Sequence, residues 1–387
     1  MSLKKYIGLP FRYKIWKPLH IRLVANDLIK PNQPTYDHKA HLTATINWLC
    51  RAQDIRNGQA DSGGVSAGWS FEDGWLPSYP ETSGYIVETF VAAARLLGRE
   101  ELISRANKIL DWEISIQNDD GSYPGHFGEA DSKPVIFNTG QIMHGMNCGY
   151  QQLKRPECLE SAIRAAKWLI AQQDQDGCWR RSTHNGIVHT YNTRSAWALL
   201  QTGLLANDKP LIEAATRNID WALTQQLETG WFEHNAFTTG AEPFTHTIAY
   251  AIRGILESGL LLNNSRYIDA AGQAAKALAA VQKKDGSLAG TYNKNWQTRA
   301  YYICLTGLAQ TSIIWSRLAQ TCGQQELQSH IDKALHYLKQ KQHINNPDAI
   351  NDGGIAGSFP IWGRYSMFEY PNWAAKFFAD ALITEEK

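Results

Sequence analysis

The sequence has no excess of either charge: 38 Lys+Arg stand against 37 Asp+Glu, a formal net charge of +1. A dedicated nucleic-acid binder neutralises phosphates and needs a basic surplus, so this balance argues against that class and for a neutral or locally patterned ligand. The six cysteines (Cys50, Cys148, Cys158, Cys178, Cys304, Cys322) form no CxxC pair and share no ligand spacing with histidine. They read as reduced core thiols, and neither a zinc site nor a disulfide framework is signalled. No apolar run reaches membrane-span length, and the N-terminus carries none of signal-peptide length, so a cytoplasmic protein is expected. Strand-like alternation of useful length is also missing.

Aromatics, by contrast, are plentiful. Fourteen Trp, 16 Tyr and 12 Phe exceed what a core of this size needs, so some are expected in a binding cleft. Residues 1–39 read as a basic aromatic arm ahead of one domain at 40–387. The arm carries Lys4, Lys5, Arg12, Lys14, Lys17 and Arg22, interleaved with Tyr6, Phe11, Tyr13 and Trp16. Packing on the domain is its plain reading. Peripheral contact with an anionic inner membrane face through residues 1–22 is the alternative.

The rest of the chain repeats itself. One helix type ends in an aromatic residue followed by Gln and an Asp-Gly turn, as in "ILDWEISIQNDDGSY" (109–123) and "AKWLIAQQDQDGCW" (166–179). Further copies lie at 46–53, 219–231, 276–288 and 334–342. Their apolar residues recur every three or four positions, which predicts half-exposed helices. A second type, apolar nearly all round, lies between them at 79–98, 135–150, 189–205, 243–261, 295–310 and 369–383. Thr82, Thr139, Thr193, Thr247 and Thr298 anchor its copies at 51- to 57-residue intervals and are expected to cap or pack. Six buried helices inside six half-exposed ones predict an all-α, closed (α/α)6 toroid. In it Gln and Trp close each outer helix onto its neighbour, and the Asp-Gly turn sends the chain inward.

This pattern resembles the six-hairpin α/α toroids over roughly residues 40–385. The Gln-x-x-Asp-Gly-x-Trp element, clearest between Gln172 and Trp179, is similar to the repeat of squalene and terpenoid cyclases. The segments "KPVIFNTGQIMHGMNCGYQQL" and "HTYNTRSAWALL" resemble the C-terminal domain of glucuronyl C5-epimerases and toroidal polysaccharide lyases. The resemblance implies the fold, and a cast of Asn, His, Tyr and Arg for the chemistry without a cofactor.

In a toroid of this kind the starts of the inner helices and the long connections share one rim. Those positions carry Glu81, Asn138, Gln141, His144, His189, Tyr191, Asn192, Arg194, His246, Tyr250, Gln297, Arg299 and Asn372. The connections add His126, His184, His234, Asn235 and Tyr365. Capping does not call for His, Tyr and Arg, so "HTYNTR" reads as part of a site. Uronate chemistry begins with loss of the C5 proton, which needs the neighbouring carboxylate neutralised, a base and an acid. Asn138, Asn192 and Arg194 are candidates for the carboxylate, His189 or His246 for the base, and Tyr191 for the acid or second base. No step requires a metal.

Three alternatives stand beside this. A glycoside hydrolase needs two carboxyls about 5–10 Å apart; Glu81 is the best single candidate, with Asp61, Glu72, Asp73, Glu242 or Glu369 as its partner. A terpenoid cyclase needs an Asp-rich motif, and Asp119–Asp120 is the only Asp pair. A non-catalytic glycan binder would stack sugars on Trp69, Trp75, Trp179, Trp231, Trp296, Trp362 and Tyr365. The connections at 61–75 and 351–365 echo each other, so ring closure would make them neighbours, forming either one wall of the cleft or a purely structural seam.

Overall fold

Each outer stretch folds as an amphipathic helix because its apolar residues line one side, and each inner stretch is buried on all sides because both its faces meet helices. The computed structural model describes residues 8–127 and 132–386. After two short N-terminal helices, α1 (Leu9–Arg12) and α2 (Pro18–Ile29), outer and inner helices alternate. They run as outer α3 (His38–Asp54) and inner α4 (Pro80–Leu97), then α5 (Glu101–Ile116) and α6 (Ile136–Leu153), α7 (Pro156–Gln172) and α8 (Thr193–Ala206). The second half continues with α9 (Lys209–Thr224) and α10 (Thr245–Leu262), α11 (Ser265–Ala280) and α12 (Leu305–Cys322), α13 (Gln328–Lys339) and α14 (Asn372–Glu385). Consecutive inner helices pack side by side, and α14 returns to both α3 and α4. The ring is closed, as the repeat count predicts.

The glutamine that ends each outer helix explains the closure. Its amide nitrogen donates both to the carbonyl of the following turn glycine and to a carbonyl on the next outer helix. Gln117 reaches Gly121 at 2.9 Å and Ser161 at 3.0 Å, and Gln173 reaches Gly177 at 3.0 Å and Ala214 at 2.9 Å. Gln53, Gln226 and Gln282 repeat the pattern with Gly63 and Arg105, Gly230 and Ala270, and Gly286 and His330. The sixth, Gln342, bonds the Gly353 carbonyl at 2.8 Å and the His41 carbonyl at 3.4 Å. His41 lies on α3, so the last repeat grips the first. The turn glycine is required twice over: Gly353 has φ +79°, and a Cβ there would lie 2.1 Å from the Ala44 carbonyl oxygen.

Gln342 is fully buried and also bonds Thr45 Oγ1 at 2.7 Å and His41 Nδ1 at 2.5 Å. Gln342→Ala strands these partners and opens a cavity at the seam, so a loss of about 3 kcal/mol is expected. Chemical denaturation checks it; an unchanged midpoint would mean the seam does not depend on this side chain.

Four anchor threonines, Thr82, Thr139, Thr193 and Thr247, are buried and pack without capping, whereas Thr298 is exposed in a turn with its Oγ1 accepting from the Ala300 amide at 3.0 Å. Thr82 and Thr247 hydroxyls donate back to the Tyr79 and Phe244 carbonyls (3.2 and 3.0 Å), and Thr193 donates across to Ala251 (3.0 Å). The fifth inner helix also departs from expectation: it starts at Leu305, about ten residues later than the 295–310 reading. Asn293 Oδ1 accepts from the Asn295 and Gln297 amides, and Trp296 has φ +58°. A short polar side chain bonding its own backbone thus holds a turn where a helix is predicted.

Short strands occupy the rim connections. β1 (Gly68–Ser70) pairs antiparallel with β2 (Gly74–Trp75) and with β5 (Glu369–Pro371), while β3 (Ile303–Cys304) pairs with β4 (Ser358–Phe359). The β1–β5 pairing makes the first and last connections neighbours. The arm lies over that seam: Tyr13 packs tilted against Phe368 (4.6 Å), Asp27 accepts from the Ile361 amide (2.7 Å), and Arg12 and Arg22 pair with Glu72 and Asp348. Within the described residues no helix is long and apolar enough to cross a membrane.

Candidate functional site

At the rim where the inner helices begin, their first turns and the long connections enclose a cavity of about 290 Å³. Its wall carries five phenols (Tyr79, Tyr85, Tyr191, Tyr250, Tyr365), the imidazoles of His184 and His246, and Asn138, Ser366 and Arg364. Phe137, Phe237, Phe244 and Trp373 complete it, and Glu81 is the one carboxyl among the described residues of the lining.

Glu81 is the second residue of α4, aimed inward by the helix start. Its Oε2 accepts from the Tyr79 hydroxyl at 2.8 Å. With its amide oriented to satisfy both contacts, Asn138 donates to the same oxygen at 3.3 Å and accepts from the His126 N–H at 3.2 Å. Burial pushes the Glu81 carboxyl up to about 7, against the Tyr79 hydrogen bond and the charge of Arg194. At neutral pH it is divided between acid and base forms.

The histidines are held neutral. Burial drives His246 down to about 3, assisted by the charge of Arg194 and opposed by its bond to Gln310. Its Nδ1 lies 2.9 Å from Gln310 Oε1, which can only accept, so Nδ1 carries the proton and Nε2 the lone pair. The phenols of Tyr79, Tyr85, Tyr191, Tyr250 and Tyr365 are all pushed up by burial and stay protonated.

Arg194 lies beneath the floor, 3% exposed, its Nε donating to Gln141 Oε1 at 2.6 Å. Four rings surround the guanidinium at 5.2–5.9 Å: Tyr250, Trp197, Phe377 and Tyr85. Arg364 stands exposed at the mouth. Neither arginine has a carboxylate partner among the described residues.

The structure brings together Glu81, Asn138, Tyr191, His246, Tyr250 and Tyr365 in one wall, with Arg194 and Gln141 under it. Other expected site residues are placed elsewhere. His189 lies behind Tyr191, stacked on it at 4.4 Å and 21°, with Nε2 on the His184 carbonyl (2.7 Å) and Nδ1 buried without a partner. Asn192 closes a short turn before α8, and its amide is buried outside the cavity wall with neither atom bonded. His126 contributes its backbone to Asn138, with its ring 6.1 Å from His184. Trp75 packs on Trp48 (5.5 Å), and Trp231 packs on Trp296 (5.1 Å) and, with His234, lines a separate surface hollow. Arg299 is exposed in the turn preceding β3, and Trp362 packs on the core. Asn372 bonds the Ser66 carbonyl (2.9 Å) and Thr82 Oγ1 (2.8 Å) across the seam.

The carboxyl partners considered for hydrolysis are also elsewhere. Asp61 holds Arg56 and the Ser78 amide, Glu72 pairs with Arg12, and Asp73 is exposed beside the arm. Glu242 accepts from Thr291 at the surface, and Glu369 sits in β5. Of the two echoing connections only the last lines the cavity, through Arg364, Tyr365 and Ser366.

Sequence reasoning missed Tyr79, Tyr85, Phe137, Phe237, Phe244, Arg364, Ser366 and Trp373 as wall residues. Tyr85 had a signal: Thr82 and Tyr85 repeat the Thr-x-x-Tyr spacing of Thr247 and Tyr250. Arg364 had none, because its position depends on the path of the last connection.

Known proteins share this architecture. The family model of the squalene-hopene cyclase C-terminal domain matches residues 76–257. A squalene–hopene cyclase of Zymomonas mobilis is 24% identical over 243 residues, 55% of this chain; the match spans only about a third (34%) of that relative's length. The unsaturated glucuronyl hydrolase of Bacillus sp. GL1 superposes with a TM-score of 0.70 at 13% identity, over 90% of this chain and 97% of that one. The cellobiose 2-epimerase of Bacillus thermoamylovorans B4167 gives 0.68 at 13% identity, over 96% of this chain and 100% of that one. At such identities the likeness is one of fold.

Proposed function

We propose that this chain, a six-hairpin α/α toroid by fold, is an enzyme acting on a uronic-acid-containing saccharide by proton transfer at C5, leading to β-elimination or epimerisation. One observation carries the reading: a single carboxyl balanced near neutrality shares its cavity with Arg364 at the mouth and has Arg194 under the floor, and neither arginine forms a salt bridge with a described carboxylate. An acidic sugar supplies the missing negative charge. The base role passes from the histidines to Glu81, because a proton-transfer group works best with a pKa near the working pH, and His246 at about 3 is too weak a base. The protonated phenols of Tyr191, Tyr250 and Tyr365 are suited to donate to a leaving oxygen or return the proton to the other face. Arg194, from below, and Arg364, at the mouth, steady the carboxylate and the charge that develops next to it. A cavity of about 290 Å³ sits at the small end of ligand sites, which run about 300–1,000 Å³, and suits one or two sugar rings or a chain end.

The name of the Bacillus sp. GL1 neighbour favours hydrolysis as a second reading, with Glu81 as the acid. The cyclase matches and the aromatic lining suggest a polyene instead, yet an unneutralised guanidinium under the floor repels the carbocation such chemistry needs.

The test incubates the protein with uronate and neutral glycans. It follows ultraviolet absorbance from new double bonds, reducing ends, and exchange of the C5 proton with deuterium. Absorbance or exchange with uronates supports the proposal; reducing ends alone support hydrolysis; silence in all three channels refutes it. In an active preparation Arg364→Gln is expected to weaken uronate binding 10- to 100-fold, as loss of one charge-assisted bond does, while neutral glycans bind as before. Equal weakening for both would remove Arg364 from carboxylate recognition.

A further inference from the structure

The arm that straps the seam has a second face. On α2 the inward side carries His20, packed on Trp69 and Phe71, then Leu23 in the core and Asp27 on the Ile361 amide. Lys17 just before the helix, with Ile21 and Leu28, falls within about 40° of one direction at 100° per residue, and that direction points away from the domain. Phe11 and Trp16 precede the helix with their rings together (5.7 Å), and Ile29 is its last residue. These five apolar side chains are 52–75% exposed. They make up five of the 13 exposed large hydrophobics among the described residues, gathered within 11–29. Single exposed hydrophobics need no explanation; a cluster of this kind marks an interaction surface.

We propose that this face docks on an anionic lipid surface. Charge complementarity selects that occupant. The exposed apolar residues are flanked by Lys17 and Lys30, which pair with no described carboxylate, and by Arg12 and Arg22 at the edge, which pair with Glu72 and Asp348; the only acid within 8–30, Asp27, is turned inward onto Ile361. An apolar ridge edged with cations, lying flat on the molecule, is the pattern of an interfacial helix: aromatic and aliphatic side chains enter the headgroup boundary while Lys and Arg meet lipid phosphates. The arm braces the connection that carries Arg364 and Tyr365, which ties the docked face to one edge of the cavity mouth. The consequence, that lipid-attached saccharides are within reach, rests on the proposed function; the docking does not.

Flotation of the full chain with vesicles tests it independently of turnover. Vesicles of phosphatidylglycerol and phosphatidylcholine are compared with pure phosphatidylcholine, at low and high salt. The proposal expects flotation with the anionic vesicles, at least tenfold weaker with neutral ones and at high salt. The surface variant Trp16→Ser/Leu28→Ser/Ile29→Ser should lose it while keeping the wild-type circular dichroism and melting temperature, and Lys17→Glu/Lys30→Glu, which leaves the apolar ridge intact, should weaken it. The absence of flotation, or equal flotation on both lipids, overturns the proposal. So does a doubled solution mass that the Ser variant halves, since the face then joins two copies of the chain.

Discussion

Glu81→Gln is expected to lower kcat about a thousandfold while leaving the fold intact, because the amide keeps the Tyr79 contact but cannot take a proton. The wild-type rate should rise with pH as Glu81 loses its proton near 7, since a base acts in its ionised form. In the Gln variant that rise should vanish along with the activity. A wild-type profile without a limb near neutrality, or a variant retaining a tenth of kcat, would remove Glu81 from the proton transfer. The size of the effect follows from the lining: no other described carboxyl is there to substitute, and both wall imidazoles are held neutral by burial.

Glu113→Leu is expected to stabilise the protein by about 3 kcal/mol at pH 7. Glu113 lies on outer helix α5, fully buried, with both carboxylate oxygens unpartnered. The corresponding residue of the other five outer helices, one after the repeated aromatic position, is Leu49, Leu169, Ala222, Leu278 or Leu338, each fully buried. Burial alone holds the Glu113 carboxyl well above the usual range. In the unfolded chain it ionises near about 4.3, so above that pH unfolding releases a proton and stability falls as pH rises toward the folded value. Each pH unit over which the folded carboxyl stays protonated while the unfolded one ionises costs about 1.4 kcal/mol. The substitution should remove that slope, with the gain shrinking below pH 4. Roughly 2 cal/mol/K of unfolding entropy per residue over 387 residues converts 3 kcal/mol to about 4 °C in Tm. Parallel stability–pH curves for the two proteins would show that Glu113 ionises within the fold.

The ring was legible in the sequence because its causes are local and repeated. The Gln of Gln117, Gln173 and Gln282 recurs at a fixed distance from its turn glycine, and the structure gives it the same two bonds each time. Where the local signal was overridden the register slipped, as at α12, where Asn293 and Trp296 hold a turn inside a stretch of helical composition. The rim residues were harder to sort, since His189 and His246 look alike in sequence. Only packing put His246 in the wall and His189 behind Tyr191.

By itself, then, the sequence determined that six hairpins close into an all-helical ring with a polar rim, because repeat period and apolar patterning act over a few residues. The tertiary structure alone decided which rim groups share the cavity, and that Arg194 lies under its floor and Arg364 at its mouth with no described carboxylate in a salt bridge to either. Those outcomes depend on how connections hundreds of residues apart pass one another, and on the water that burial removes from Glu81 and His246.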